Sequence, residues 1–288
     1  MPSVRQIRGR IRSVRNTSRV TRAMQMVAAS KMRRAQEQVL ASRPYATKLQ
    51  SVLAGLTNEG VKQGDIEHPL LVNRAVKNVL VLEITPDRGL AGGLPGNINR
   101  ATALFMFEQG VPASVVTVGR KGRDFMARTG RNLMASFLDM GDRPTLADTL
   151  PITRLVQRVF MEGETDAVHL AYTRYVNTLI QEPVVTQLLP VDPGKLTETG
   201  ASTGYLYEPN PLVVLGALLP RFLEVQVFQA FLESNASEQS ARMVAMRNAT
   251  EAADEMVEGL TLELNKARQN MITAELLDLV GGVAALES

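Results

Sequence analysis

The chain has 288 residues, enough for one large domain or two ordinary ones, and its 45% hydrophobic against 21% charged residues exclude a disordered or collagen-like polypeptide. It holds no Cys, which removes disulfides, thiolate catalysis and Cys-ligated zinc or iron–sulfur sites, and its two histidines, His68 and His169, stand without metal-ligand or triad spacing. The formal net charge of +3 hides an uneven distribution: residues 1–50 carry twelve Lys/Arg against one acid, Glu37, a balance of +11, while the remainder carries twenty against twenty-eight, a balance of −8.

From the N-terminus, Ser3 followed by Gln6 is a capping-box pair. Val4, Ile7, Ile11 and Val14 then form the 3-4 stripe of an amphipathic helix. The stripe slips phase near Asn16–Arg19 and resumes at Val20, Met24 and Val27, so a stutter is expected instead of a break. The helix is predicted to kink at Pro44 and to end near residue 58. No apolar signal-peptide core opens the chain, which is therefore expected to be intracellular.

Residues 77–85 are predicted as a strand that enters a Gly/Pro loop and then a helix over Asn97–Gln109. Ser114–Val118 reads as a second strand, Lys121–Arg128 as a short helix, Ala167–Val176 as a third strand and Pro183–Pro190 as a fourth. This alternation predicts a mainly parallel sheet with helices packed on it. Residues 192–204, rich in Gly, Thr and Pro, read as a surface loop. The loop from Asp87 to Gly96 joins a strand to a helix, as phosphate-binding loops do, but lacks the Gly-Lys-Ser/Thr ending and the dinucleotide fingerprint, so a structural turn or protein contact is expected. No nucleophile elbow or carboxylate cluster suggests catalysis.

Asn210-Pro211 is a cap followed by a first-turn proline and predicts a second long helix reaching about Val280. Its seam runs through Val225, Phe228 and Leu232, then Met246, Ala249, Ala253, Met256, Leu260, Leu264, Ala267 and Met271, three and four apart within each stretch, as in a coiled coil. Helices of roughly 80 and 110 Å cannot fit inside a globule, so antiparallel pairing with partners summing to about 268 is expected, with drift of a turn or so. Met24 then falls opposite roughly Val244, Ile7 opposite roughly Thr261, and residues from Asn265 onward lack a partner. The longest apolar run, Leu212–Leu219, is far below the ~20 residues of a membrane span, so no segment is expected to cross a bilayer. The fold class expected is α/β: a long antiparallel coiled coil of the terminal helices, residues 1–60 and 209–288, with a central Rossmann-like α/β domain over 61–208.

Several stretches carry a specific resemblance. They are Thr21-Arg-Ala-Met24 through Lys31-Met32-Arg33, the loop Asp87-Arg88-Gly89-Leu-Ala-Gly92-Gly93, Tyr205-Leu-Tyr207-Glu208-Pro209, Ala236-Ser-Glu238 through Arg242-Met243, and Asn265 through Ile272-Thr273-Ala-Glu275 to Gly281-Gly282-Val283. Together and in this order they resemble the gamma subunit of the F1 part of ATP synthase; Val283 stands where that signature usually has Ala. The resemblance implies a rotor without an active site or cofactor of its own. It would turn inside an alpha3-beta3 hexamer, with the epsilon subunit and the c ring as further partners, at the cytoplasmic face of a bacterial membrane. It further implies beta-subunit contacts at Met24, Lys31, Arg33, Arg34, Arg242, Arg268, Thr273 and Glu275, and c-ring contacts at Tyr205, Tyr207 and Glu208. The alternative is a nucleic-acid-binding protein using the basic N-terminal helix, for which no aromatic interleaving or recognition module is present.

Overall fold

A computed structural model describes residues 3–63, 68–192, 194, 207, 208 and 210–286. The elements are α1 (Val4–Gln63), β1 (Val79–Ile84), α2 (Leu94–Glu108), β2 (Ala113–Val118), α3 (Arg120–Arg128), β3 (Asn132–Phe137), α4 (Leu146–Met161), β4 (Ala167–Tyr175), β5 (Gln181–Leu189) and α5 (Pro211–Leu286). The chain divides into two compact units. Unit 1 comprises Met1–Ala28 with Met243–Ser288, and unit 2 comprises Ala29–Arg242.

The ends of the long helices form as their sequence dictates. The Gln6 amide donates to the Ser3 hydroxyl (3.3 Å) and the Ser3 amide to the Gln6 side-chain oxygen (2.9 Å), the reciprocal pair that satisfies amides without an intrahelical partner. The Val213 amide donates to the Asn210 side chain at 2.9 Å, capping α5. Pro44 lies within a continuous α1, which ends at Gln63 instead of near residue 58, and α5 outruns its expected end by six residues.

In unit 1 the helices pair antiparallel around Ile7, Ile11 and Ala28 of α1 and Met246 and Ala253 of α5. The seam also has polar rungs. The Ser18 hydroxyl donates to Asp254 (2.7 Å), the Thr21 and Thr250 hydroxyls bond each other (2.7 Å), and Arg22 pairs with Asp254 (2.8 Å). The Ser18–Asp254 and Thr21–Thr250 partners sum to 272 and 271, one turn beyond the expected 268.

Unit 2 is built on a five-stranded sheet of order β3-β2-β1-β4-β5, parallel except for β5, which returns antiparallel to β4. Because side chains alternate across a strand, β1 sends Leu80, Leu82 and Ile84 to one face and Val79, Val81 and Glu83 to the other. The first face packs on α4 and on the unit 2 parts of α1 and α5, through Leu53, Ile152, Val156, Leu219 and Leu223. The second packs on α2 and α3 through Ile98, Met106 and Met126. Within this unit Ser42 bonds Gln229 at 2.6 Å, and Ala35 and Val39 cluster with Leu232 and Ala236, again summing to 271.

Two elements go beyond the sequence reading, β3 and α4. The edge strand β3 buries none of its residues fully. Helix α4 carries Pro151 past its first turn, where it removes one intrahelical bond and masks the helix in the sequence, and a Thr145/Asp148 capping box that could have been read. The longest apolar run alone understates one feature of α5. One 18-residue window of α5 reaches a mean hydropathy of 1.6 with a third of it buried, so by length and composition this helix is apolar enough to cross a bilayer. In unit 2 its residues Leu215, Leu219, Leu223 and Val227 instead fill the core.

Candidate functional site

Open parallel sheets bind ligands beyond the carboxyl ends of their strands. Here that edge is occupied by the chain itself. The loop after β1 is held by Asp87, whose carboxylate accepts the Arg120 amide (3.0 Å) and the Asp139 amide (3.1 Å), while Arg120 forks onto Asp139 with two 2.8 Å bonds. Gly119 sits at φ +98, and a Cβ there would lie 2.0 Å from the Thr85 carbonyl oxygen, so only glycine allows this approach. Phe231, Ser234, Asn235 and Glu238 of α5 cover the crevice and leave a cavity of about 40 Å³, far too small for a nucleotide. The glycine loop therefore works as a structural tie. Among the described residues no three His, Asp or Glu side chains converge.

A charged cluster surrounds this edge. Arg242 donates to Glu238 (2.5 Å) and to the Gly89 carbonyl (3.3 Å), and both side chains of the pair are largely buried. Burial pushes the Glu238 carboxyl above its ordinary value, Arg242 opposes this, and Asp142 and Asp87 add to the rise. Lys31 bonds Asp142 at 2.6 Å and holds that carboxyl below the ordinary range, while Asn235 donates to the Asp142 carbonyl at 3.0 Å. Lys31 and Arg242, both expected to face a partner protein, thus already have partners inside unit 2.

The other expected contact residues are more open. Arg33 and Arg34 are exposed in unit 2. In unit 1 Met24 is half-buried, and Arg268, Thr273 and Glu275 are exposed, with the Thr273 hydroxyl donating to the Gln269 carbonyl (3.0 Å). Tyr207 is partly buried on the unit 2 core, with its hydroxyl 3.2 Å from where a Cβ of Gly55 would stand, and Glu208 is exposed. Tyr205 lies outside the described residues, as does most of the expected 192–204 loop.

Unit 1 adds two surfaces, the first of which the residue-by-residue reading missed. Arg8, Arg12, Arg15 and Arg19, at successive helical turns of α1, line a cleft of about 420 Å³ with Ile11, Thr261 and Leu264. The i, i+4, i+7, i+11 spacing of these arginines was visible in the sequence. Farther along α5, Met271, Ile272, Leu276, Leu277, Leu279 and Val280 are all exposed, the last four at 56–67%. With partners summing to 271–272 and α1 beginning at Val4, no α1 residue stands opposite α5 beyond about residue 268.

A family model described as ATP synthase matches residues 3–286. The ATP synthase gamma chain of Dehalococcoides mccartyi is 56% identical over 286 residues, spanning 99% of this chain and all of the relative. That of Roseiflexus castenholzii is 49% identical over 99% of both chains. Among solved structures, the chain is similar to one from the central stalk and c ring of Tetrahymena thermophila mitochondrial ATP synthase, with a TM-score of 0.62, 27% identity, and coverage of 80% of this chain and 99% of that one. A Euglena gracilis mitochondrial ATP synthase chain, at 21% identity, shares the fold with a TM-score of 0.66 over 98% of this chain and 94% of its own length. None of these matches supports reading the basic arm as a nucleic-acid binder.

Proposed function

This chain belongs to the ATP synthase gamma family, and we propose that it is the central rotor subunit of a bacterial F-type ATP synthase, peripheral to the membrane at its cytoplasmic face. The observation that carries this reading is the full-length likeness to gamma chains, 56% identical from end to end. Its partners are the alpha3-beta3 hexamer, the c ring and the epsilon subunit. It turns with the ring and forces the three beta sites through different nucleotide affinities, with no active site or cofactor of its own. The filled crevice at the sheet's carboxyl edge supports the non-catalytic part of the proposal.

In this reading residues 1–60 and 209–288 serve as the coiled coil and 61–208 as the body. Exposed Arg33, Arg34, Arg268, Thr273 and Glu275, with Met24, meet the beta subunits. Lys31 and Arg242 reach them only by exchanging their internal partners. Tyr205, Tyr207 and Glu208 form the contact to the c ring, with Tyr207 anchored on its own core by its ring.

Copurification of the tagged chain with alpha and beta subunits tests the assembly. The basic face is tested by reversing Arg33 and Arg34 to Glu, which removes two exposed charges without touching the core. ATP-driven rotation or its coupling to ion transport should weaken while the chain remains folded. Wild-type torque and coupling in that variant would reject this contact.

A further inference from the structure

Glu83 stands in the middle of β1, the central strand, with no exposure to solvent. Its side chain projects to the α2/α3 face, beside Val79 and Val81 of a hydrophobic cluster. A Cβ on Gly122 of α3 would lie 2.7 Å from the Glu83 Oε2, so the helix backbone is pressed directly against the carboxyl. Thr117 is the cross-strand neighbour on β2, and Thr102 approaches from α2. Asn99, one turn before Thr102, donates through its Nδ2 to the Lys121 carbonyl next to Gly122.

These side chains share a deficit. Both Glu83 oxygens, the Asn99 Oδ1 and the Thr102 and Thr117 hydroxyls are buried without a well-formed hydrogen bond. Thr85, by contrast, is satisfied, donating to the Val118 carbonyl (3.0 Å) and accepting the Gly122 amide (2.8 Å). Five orphan oxygens on three neighbouring elements are too many for a dry apolar interior, where each costs free energy. The set is short of donors: the Asn99 Oδ1 and both oxygens of an ionised carboxylate can only accept, against one O–H from each threonine. A proton on Glu83 supplies one donor, and a buried water supplies two more with two acceptors.

We propose that Glu83, Asn99, Thr102 and Thr117 form a closed internal site that holds a proton on Glu83 together with an ordered water, and that this neutral acid seats α2 and α3 on the sheet. Burial lifts the Glu83 carboxyl to about 7, and the nearby Thr102 hydroxyl offsets only part of the rise. Of the titratable groups on the packed elements, His169 of β4 lies on the same sheet face, its ring 4.6 Å from that of Phe105. The charged residues of α2, Arg100 and Glu108, and of α3, Arg120, Lys121, Asp124 and Arg128, are exposed, and half-buried Arg123 is paired with Asp124. No fixed charge is therefore supplied to hold Glu83 ionised.

The sign follows from linkage. Below about pH 4.5 both folded and unfolded chains hold the proton; between there and about 7 only the unfolded chain releases it, so stability falls as pH rises, and the loss levels off above 7. Denaturant unfolding of the full chain from pH 4 to 8.5 should show this against Glu83→Gln, which keeps the shape and cannot ionise. The wild-type unfolding constant should rise relative to the variant by on the order of 100-fold across that range. Parallel pH profiles would overturn the proposal, and so would wild-type stability at pH 8 that rises with Na⁺ or K⁺ while the variant's does not, since the site would then hold a cation. If Glu83→Gln does not fold, wild-type chain labelled with ¹³C-glutamate should show a carboxyl carbon titrating near 7 whose midpoint moves up in Thr102→Val. A midpoint unmoved by that change would overturn the assignment. Water-to-protein cross-relaxation at Thr117 should reveal a long-lived water, and its absence would remove the water from the site.

Discussion

At the scale of single residues, the decisive feature is how Arg242 and Glu238 are used. The pair is nearly closed to solvent, with exposures of 12% and 19%, and Arg242 also donates to the Gly89 carbonyl, so it bridges α5 to the glycine loop. Burial outweighs Arg242 in setting the Glu238 carboxyl, which means that removing the arginine leaves a carboxylate that must take up a proton or draw in water. Arg242→Ala should therefore destabilise the chain by roughly 3 kcal/mol in chemical denaturation, as breaking a buried pair generally does. The double variant with Glu238→Gln should recover about half or more, because the uncompensated charge is gone. A single-variant loss under about 0.5 kcal/mol would mean that the pair is worth no more than an exposed one. Lys31–Asp142 works with the opposite sign: Lys31 lowers the Asp142 carboxyl, so its contribution is present above the ordinary carboxylate range and is lost as pH falls through the depressed folded value. Both its partners are substantially exposed, which keeps that contribution small.

At the scale of elements, the register of the helix pair is the sharpest quantity. An anchor at the ends of the helices suggested partners summing to 268, whereas Ser18–Asp254 and Thr21–Thr250 give 271–272. Met24 therefore faces the stretch around 247 and 248, not 244. Since the chain has no Cys, a Met24→Cys variant combined with single cysteines across 243–250 should oxidise most efficiently between 246 and 249; a maximum at 243–244 or below would restore the earlier register. The helices were legible because stripe, cap and first-turn proline agreed over dozens of residues. Four of the five strands were legible too, three of them through runs of β-branched residues, since a strand buried on both faces needs apolar side chains throughout. Strand β3 was not, because an edge strand half open to solvent can be Asn-Leu-Met-Ala-Ser-Phe and carry little β signal. Helix α4 was obscured by Pro151, although its Thr145/Asp148 box announced the start. The i, i+4 pairing of Glu238 with Arg242 was readable on the helix, but the Lys31–Asp142 pair and the bond from Arg242 to the Gly89 carbonyl were not, because they join residues 111 and 153 positions apart.

At the scale of the whole molecule, one polypeptide has no threefold axis, so within a threefold ring it must touch each subunit differently. A conformational equilibrium shifts only by such differential contact free energy, which makes the asymmetry itself the coupling element. The charge balance suits this use, because +11 on residues 1–50 supplies attraction to any acidic partner surface without a fixed hydrogen-bond geometry that each step would have to break. The C-terminal part of α5 carries the complementary argument. Beyond about residue 268 it has no opposite helix, yet it shows water Met271, Ile272, Leu276, Leu277, Leu279 and Val280. A helical stretch with nothing packed on its apolar face is marginal in water, since helical stability in proteins comes mainly from such packing. So much exposed apolar side chain on one short stretch is what an interaction site looks like before its partner is added. Hydrogen exchange should therefore be fast for amides 269–286 in the isolated chain, near the rate of an unfolded peptide, and slower by at least about tenfold in the assembled complex. Amides of the paired stretch 243–262 should be protected in both. If the terminal stretch exchanges equally fast in the complex, it is not held by an apolar sleeve, and the bearing contacts must lie on the basic face of α1 instead.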